Sequence, residues 1–393
     1  MEIKTVEAPI KKERVHYLDW LKVFAILMVF IFHNAHFFDF PDWTLKNKTE
    51  SFGMTIVTIL IYIWSMPLFF LLAGAGTKFA LKNRTGTQYI KERAKRLLIP
   101  FVVGMLLLAP PQGYVENLSK LKFNKSFMSY YPYFFKHLSY NFSLKAFGDN
   151  TYHLWFLGFL FVFSIMALPL FIYLKKEIAG KFILKCALFC DNKGFIFLFA
   201  IPVLISHLAL RVVFPEYNDW ADFVYWLIYF IYGYMIFSHE KFKEAIIRHS
   251  KASLIIGILC LSYIIALLLL GYDVKWFIYP TYSVESIIYL VIYSLLTWSW
   301  VIFILSIGFK FFNFENKFLK YSSEAVLPFY LLHQPIILLI GYFVIQWNLS
   351  IIEKFFIISI TSFILIIAIY DLLVKRVNFI RFVLGMKELK LSD

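Results

Sequence analysis

The sequence predicts an all-α protein, a polytopic transmembrane helical bundle with about ten membrane-spanning helices and both termini cytoplasmic. Three observations carry that prediction. Of 393 residues, 61% are hydrophobic and only 16% charged, with a mean hydropathy of +0.71, against roughly 25% charged residues in an ordinary soluble domain. Apolar runs long enough to cross a bilayer recur along the whole chain. Lys and Arg, 39 in all, collect in alternate loops between those runs.

The runs fall at about 17–38, 53–80, 97–111, 152–174, 194–213, 221–238, 252–271, 284–308, 325–347 and 351–374, the third being short and proline-interrupted. Assigning alternate loops to the cytoplasm places 27 basic residues inside and 10 outside, with Lys22 and Lys78 within helices. The first run begins near Tyr17 behind a basic stretch. It is too long for a signal-peptide core and reads as a retained helix. The chain is thus expected to be one integral membrane domain over 1–393, with a cytoplasmic N-terminal segment at 1–16, a long extracytoplasmic loop at 112–151 and a cytoplasmic tail at 375–393. That loop carries Tyr130, Tyr131, Tyr133, Phe134, Phe135, Tyr140 and Phe142 among lysines. Such a composition suits an interfacial or re-entrant cap, and it can also stack on sugar faces while binding acidic groups.

Several function classes are excluded. The net charge of +14 does not indicate nucleic acid, because the basic residues lie between apolar runs rather than in a stripe on a soluble domain. Three cysteines, Cys186, Cys190 and Cys260, give an odd count in inner or apolar segments, so no disulfide framework is expected. Cys186 and Cys190 have i,i+4 spacing but no neighbouring Cys or His to complete a metal site, and no metal is expected. Phosphate-binding Gly-rich loops, His-Glu-x-x-His helices and Gly-x-Ser-x-Gly elbows are absent, which argues against an ATPase, a zinc protease and a serine hydrolase.

The first helix holds Asp19, Lys22, His33 and His36. Charged groups in hydrocarbon cost about 2.5 to 3.5 kcal/mol each, so this polar line should face a cavity or partner helices. Eleven residues at about 100° each put Lys22 and His33 within roughly 20° of one face, about 16 Å apart along the axis. Asp19 joins that face one turn before Lys22. The alternative reading has Lys22 snorkelling with Asp19 paired to it, and the histidines at the interface.

A second cluster, Arg93 and Arg96, has i,i+3 spacing able to clasp a phosphate through planar forks, or simply to anchor a helix end. His153 opens the fourth run and suits either an acceptor entrance or interfacial anchoring. His333 lies within an apolar run two residues before Pro335, a proline that frees a backbone carbonyl, and it suits either a polar site or a helix-bonded place in the core. Glu285 opens the eighth run, where the helix dipole favours a carboxylate.

Taken in order, Tyr17-Leu18-Asp19-Trp20-Leu21-Lys22 with ten residues before His33, Met66-Pro67-Leu68-Phe69-Phe70-Leu71-Leu72-Ala73-Gly74, and Arg93-Ala94-Lys95-Arg96-Leu97-Leu98-Ile99-Pro100 resemble the bacterial membrane acyltransferase-3 family. His153-Leu154-Trp155-Phe156-Leu157 and Leu331-Leu332-His333-Gln334-Pro335 extend the match to the ninth run, while about 175–320 contributes little. Lys22 and His33 fill the family's Arg/Lys-x10-His pattern, and Arg93 and Arg96 its Arg-x-x-Arg pattern. Lys22 is a variant that cannot form a bidentate fork, and Ala73-Gly74 stands where Ser-Gly is commoner. Leu107-Leu108-Ala109-Pro110-Pro111-Gln112 is similar to the branch that succinylates periplasmic glucans.

The resemblance implies a bacterial inner-membrane enzyme that carries an acyl group (acetyl, succinyl or similar) from cytoplasmic acyl-coenzyme A to a hydroxyl of an extracytoplasmic carbohydrate or other envelope acceptor. Acyl-coenzyme A is then a donor substrate, with no permanently bound cofactor. His33 is expected to be the general base, Lys22, Arg93 and Arg96 to hold the donor, and Asp19, His153 and His333 to face substrate. The chemistry fits, because alcohol acylation needs a base for the hydroxyl proton, a role suited to imidazole. A rival reading is a proton-coupled transporter, since intramembrane Asp, Lys and His with proline-broken helices also serve carriers. Paired half-sequences with matching breaks, which a carrier would show, are not seen.

Overall fold

A computed structural model describes residues 15–138, 143–192, 194–270 and 280–389, and the regular structure there is entirely helical. Tyr140 and Phe142, most of the N-terminal segment 1–16 and the end of the tail at 375–393 lie outside the described residues. The elements are α1 (His16–Ala35), α2 (Phe52–Lys82), α3 (Gly86–Ser119), α4 (Phe127–Lys136), α5 (Leu144–Met166), α6 (Leu168–Leu174), α7 (Glu177–Asp191), α8 (Phe195–Leu210), α9 (Trp220–Ile236), α10 (Glu240–Arg248), α11 (Ser250–Leu269), α12 (Val284–Phe311), α13 (Lys317–Val344), α14 (Ile351–Val374) and α15 (Asn378–Val383).

Among the described residues, α1, α2, α3, α11, α12, α13 and α14 are long and apolar enough to cross a membrane. Two bent pairs, α5 with α6 at 50° and α9 with α10 at 109°, bring the number to nine. The run expected at 194–213 yields only α8, whose 16 residues extend about 24 Å and fall short of a hydrocarbon core of about 30 Å.

The third span differs most from expectation. It begins at Gly86 rather than near 97, because the Thr85 hydroxyl accepts from the Gln88 amide while the Gln88 side chain accepts from the Thr85 amide, a capping box that starts the helix on the polar side of the arginines. Pro100 lacks the N–H that Arg96 would otherwise receive, and Ala94–Leu98 relaxes into a π-turn there. The helix then continues through Pro110 and Pro111 to Ser119. The described residues within 112–151 are consequently largely helical, with α4 packed on the second half of α3 through Tyr130 and Phe134.

The interior is formed by α1, α2, α9, α12 and α13. In α12 and α13, 61% of the most apolar stretch is buried within the protein, against 22% in α11 and 28% in α14. These last two are therefore the lipid-facing walls, since apolar surface left uncovered by protein must meet lipid. The tightest crossing joins α2 to α9. A Cβ on Gly74 would stand 1.9 Å from the Phe230 carbonyl oxygen, and one on Gly233 would stand 1.9 Å from that of Leu71. Two glycines facing each other's backbones are the small-residue contact that membrane helices use to approach closely.

Candidate active site

Three histidines from three helices converge. His33 near the end of α1 and His333 in α13 have ring centroids 5.0 Å apart, and His153 at the start of the apolar half of α5 lies 5.2 Å from His333. His153 and His333 are buried, whereas His33 is partly exposed. The polar face expected on α1 thus turns into the bundle at its His33 end.

Carbonyl oxygens, which only accept, fix the tautomers. His33 Nδ1 lies 2.9 Å from the Val29 carbonyl and 3.3 Å from His333 Nε2. Nδ1 of His33 is therefore the protonated nitrogen, shared between the two, and Nε2 carries the lone pair. His333 Nδ1 donates to the Tyr330 carbonyl at 2.5 Å, which leaves its own Nε2 to accept from His33. His153 Nε2 donates to the Leu331 carbonyl at 3.1 Å. That carbonyl is the one Pro335 cannot serve, because its missing N–H would have bonded four residues back. A proline in one helix thereby creates the acceptor that anchors an imidazole from another.

The backbone at Tyr152 completes the arrangement. Its φ of 50° is unusual for a bulky residue, and such positions cost on the order of 1–3 kcal/mol. The kink sends consecutive side chains to different environments: the Tyr152 hydroxyl donates to Glu116 Oε2 at 2.9 Å, while His153 joins the other histidines. The Tyr330 hydroxyl donates to the His153 carbonyl, tying α13 to the same turn.

The second expected cluster is also structured. Arg93 donates to the Thr77 hydroxyl at 3.0 Å and lies over the Tyr89 ring. Arg96 pairs with Glu92 at 3.3 Å, and Glu92 also takes Arg84 at 2.6 Å. The two guanidiniums thus have different partners despite their i,i+3 spacing. Lys22 pairs with Asp19 at 3.6 Å and is about a third exposed. Asp19 and Lys22 lie toward the opposite end of α1 from His33.

Asp39 and Lys46, the partners around His36, and the pair Arg211 and Asp222 had gone unread in the sequence. His36 Nδ1 donates to Asp39 at 2.7 Å, and Lys46 reaches the same buried carboxylate at 2.9 Å; Trp43 stacks on His36 and also neighbours His33. Arg211 and Asp222 form a buried ion pair at the facing ends of α8 and α9. Its signal was two charges within apolar runs, a costly placement without a partner. Glu285 sits in the first turn of α12, after the Ser283 cap. Cys186, Cys190 and Cys260 are free thiols, and among the described residues no group of three or more His, Cys, Asp or Glu is arranged to hold a metal.

These features define a multi-pass helical membrane protein whose buried polar chemistry centres on imidazoles. The family signature for the acyltransferase domain of acyltransferase 3 matches residues 15–371. The chain belongs to that family and is a membrane O-acyltransferase. Similar proteins include "Glucans biosynthesis protein C" of Salmonella heidelberg (strain SL476), Salmonella agona (strain SL483) and Salmonella enteritidis PT4 (strain P125109), each 22% identical over 352 residues that cover 87% of this chain and 86% of the relative. No solved structure matches the chain.

Proposed function

We propose that the protein transfers an acyl group (acetyl, succinyl or similar) from acyl-coenzyme A on the cytoplasmic side to a hydroxyl of an extracytoplasmic carbohydrate, with His33 as general base. The observation that carries this reading is the His33 tautomer: Val29 and His333 hold the proton on Nδ1, so the lone pair of Nε2 is the one available to a hydroxyl. In the reaction His33 Nε2 takes the hydroxyl proton as the oxygen attacks the thioester carbonyl. The carbon–sulfur bond then breaks, and the imidazolium returns the proton to the departing thiolate. The relatives' name makes a glucan the first acceptor to test.

At the other end, Arg93 and Arg96 would exchange the Thr77 and Glu92 contacts for donor phosphates, with Lys22 beside them and Asp19 orienting it. α1 is unbroken from His16 to Ala35, so about 16 Å along one straight helix separates Lys22 from His33, the distance the pantetheine arm would span. We place the chain in the bacterial inner membrane, with both termini cytoplasmic and ten crossings when α8 is included. The purified protein, given labelled acetyl- or succinyl-coenzyme A and a short gluco-oligosaccharide, should move label to the sugar only when both are present. Absence of label transfer with either donor, from protein that is folded and reconstituted, would overturn the reading.

A further inference from the structure

The acyltransferase reading leaves open where the acceptor is held, and the outer half of α3 carries an observation that bears on it. A cavity of about 190 Å³ lies between the end of α3, α4 and the start of α5, bordered by Asn117, Tyr130, Tyr133, His137, Asp149 and Tyr152. We propose that this cavity binds one sugar unit of a neutral carbohydrate acceptor next to the histidine cluster. The proposal rests on the transfer reading above for the word acceptor, but the site itself is argued from its own chemistry.

Position is the first argument. Arg96 and Glu116 lie on the same helix 20 residues apart, which is about 30 Å, one hydrocarbon thickness. The cavity is therefore at the membrane face opposite the arginines. It is joined to the histidines through the backbone, since Tyr152, which lines it, is the strained residue immediately before His153. In addition, α13, the helix of His333, packs against the Ala109–Ser119 part of α3.

Composition is the second. Sugars present apolar C–H faces that stack on aromatic rings and hydroxyls that bond to carboxylates and amides, and this cavity offers both kinds of surface. Tyr133 and His137 are already stacked, with centroids 3.8 Å apart at 25°, and so form a flat aromatic wall. Asn117 donates to the Tyr130 hydroxyl at 3.0 Å, and Tyr152 is fixed on Glu116. These bonds hold the polar edge in place before any ligand arrives. The lining carries one carboxylate, Asp149, and no lysine or arginine, which disfavours an anionic headgroup or phosphate and leaves a neutral polyol as the matching class. The volume is below the roughly 300 Å³ of sites for drug-sized ligands, so it suits a single unit of a longer chain.

Gly113 is part of the construction. A Cβ there would stand 2.6 Å from the Tyr130 hydroxyl and 2.9 Å from that of Tyr152, so only glycine lets both phenols close on α3. α4 itself is anchored by Tyr130 and Phe134, which leaves Tyr133 replaceable without removing the anchors.

The test measures binding of a short neutral gluco-oligosaccharide to the reconstituted full chain without donor, and separately acyl transfer and donor KM. Wild type should bind. Tyr133→Ala and Asp149→Ala should each weaken binding and raise acceptor KM about tenfold, the size of one lost stacking contact or one lost charged hydrogen bond, with donor KM unchanged. No binding by wild type, or unchanged binding and acceptor KM in both folded variants, overturns the site even if transfer proceeds. Sugar binding that both variants lose, in a protein that never transfers acyl groups, supports the cavity and removes the transfer reading instead.

Discussion

Replacing His33 by alanine separates catalysis from binding more cleanly than any other change. In the folded protein the side chain makes two neutral contacts, to Val29 and His333, and is partly exposed. Its loss should cost only about 1–2 kcal/mol of stability, one or two net hydrogen bonds. The same change removes the proposed base, and a positioned base is worth about 10²- to 10⁴-fold in rate, or roughly 3 to 5.5 kcal/mol of barrier. His333 Nε2, 3.3 Å from the lost nitrogen, is the nearest substitute base, so the double variant His33→Ala with His333→Ala should fall below either single one. The assay follows thiol release from acyl-coenzyme A in the presence of acceptor, by protein in nanodiscs. kcat should drop while donor KM stays near wild type, because the arginine cluster lies at the other end of the site. His36→Ala serves as the control. Its carboxylate partner Asp39 keeps Lys46 at 2.9 Å, so less than about a tenfold loss in kcat is expected, the size of a single neutral contact. A folded His33→Ala protein that turns over at the wild-type rate would refute the assignment.

Other changes address the remaining parts. Arg93→Ala with Arg96→Ala should raise donor KM more than acceptor KM, read from the same thiol-release assay with each substrate varied in turn. His153→Leu should lower the thermal unfolding midpoint by leaving the Leu331 carbonyl without its donor, a loss of about 1–3 kcal/mol; His153→Gln, whose amide can donate, should recover part of that stability. Gly74→Leu must separate α2 from α9, where a Cβ already meets the Phe230 carbonyl at 1.9 Å. A destabilisation of about 3 kcal/mol or more is expected, at the top of the overpacking range, measured as loss of folded protein in detergent. For topology, Lys136→Cys in a chain whose three native cysteines are replaced by alanine should react with an impermeant thiol reagent in intact cells, and reaction only after permeabilisation would reverse the orientation.

The fold was legible where a single helix decides its own fate. Length and apolarity mark α2, α12, α13 and α14 without reference to neighbours, and the azimuth reading of α1 works because that helix is unbroken. It was least legible where polar residues belong to a helix for tertiary reasons. Arg93 to Arg96 depress the local hydropathy, so the third span seemed to begin at 97, although the Thr85 cap starts it earlier. The lysines on either side of the aromatic stretch, Lys120, Lys122, Lys125 and Lys136, similarly suggested a long loop. Tyr130 and Phe134 are nonetheless one turn apart and form the stripe that holds α4 on α3. Gly74 drew notice only as part of a motif, because its partner Gly233 is more than 150 positions away in sequence.

The site shows the same division with a sharper physical cause. The proline rule assigns Leu331 a carbonyl without a helical donor, and that much follows from positions 331 and 335 alone. Which side chain answers it does not, since the donor, His153, comes from 178 residues away. The i,i+3 spacing of Arg93 and Arg96 implies neighbouring side chains, yet their partners differ, Thr77 on α2 for one and Glu92 on α3 for the other. Each local rule was right about the backbone group or angle it governs and silent about the partner. For the histidines the partner is what sets the chemistry. His33 has its lone pair on Nε2 because the carbonyl of Val29 and the ring of His333, 300 residues further along the chain, both claim Nδ1. A base chosen by two acceptors, one local and one remote, is specified only once the bundle has closed.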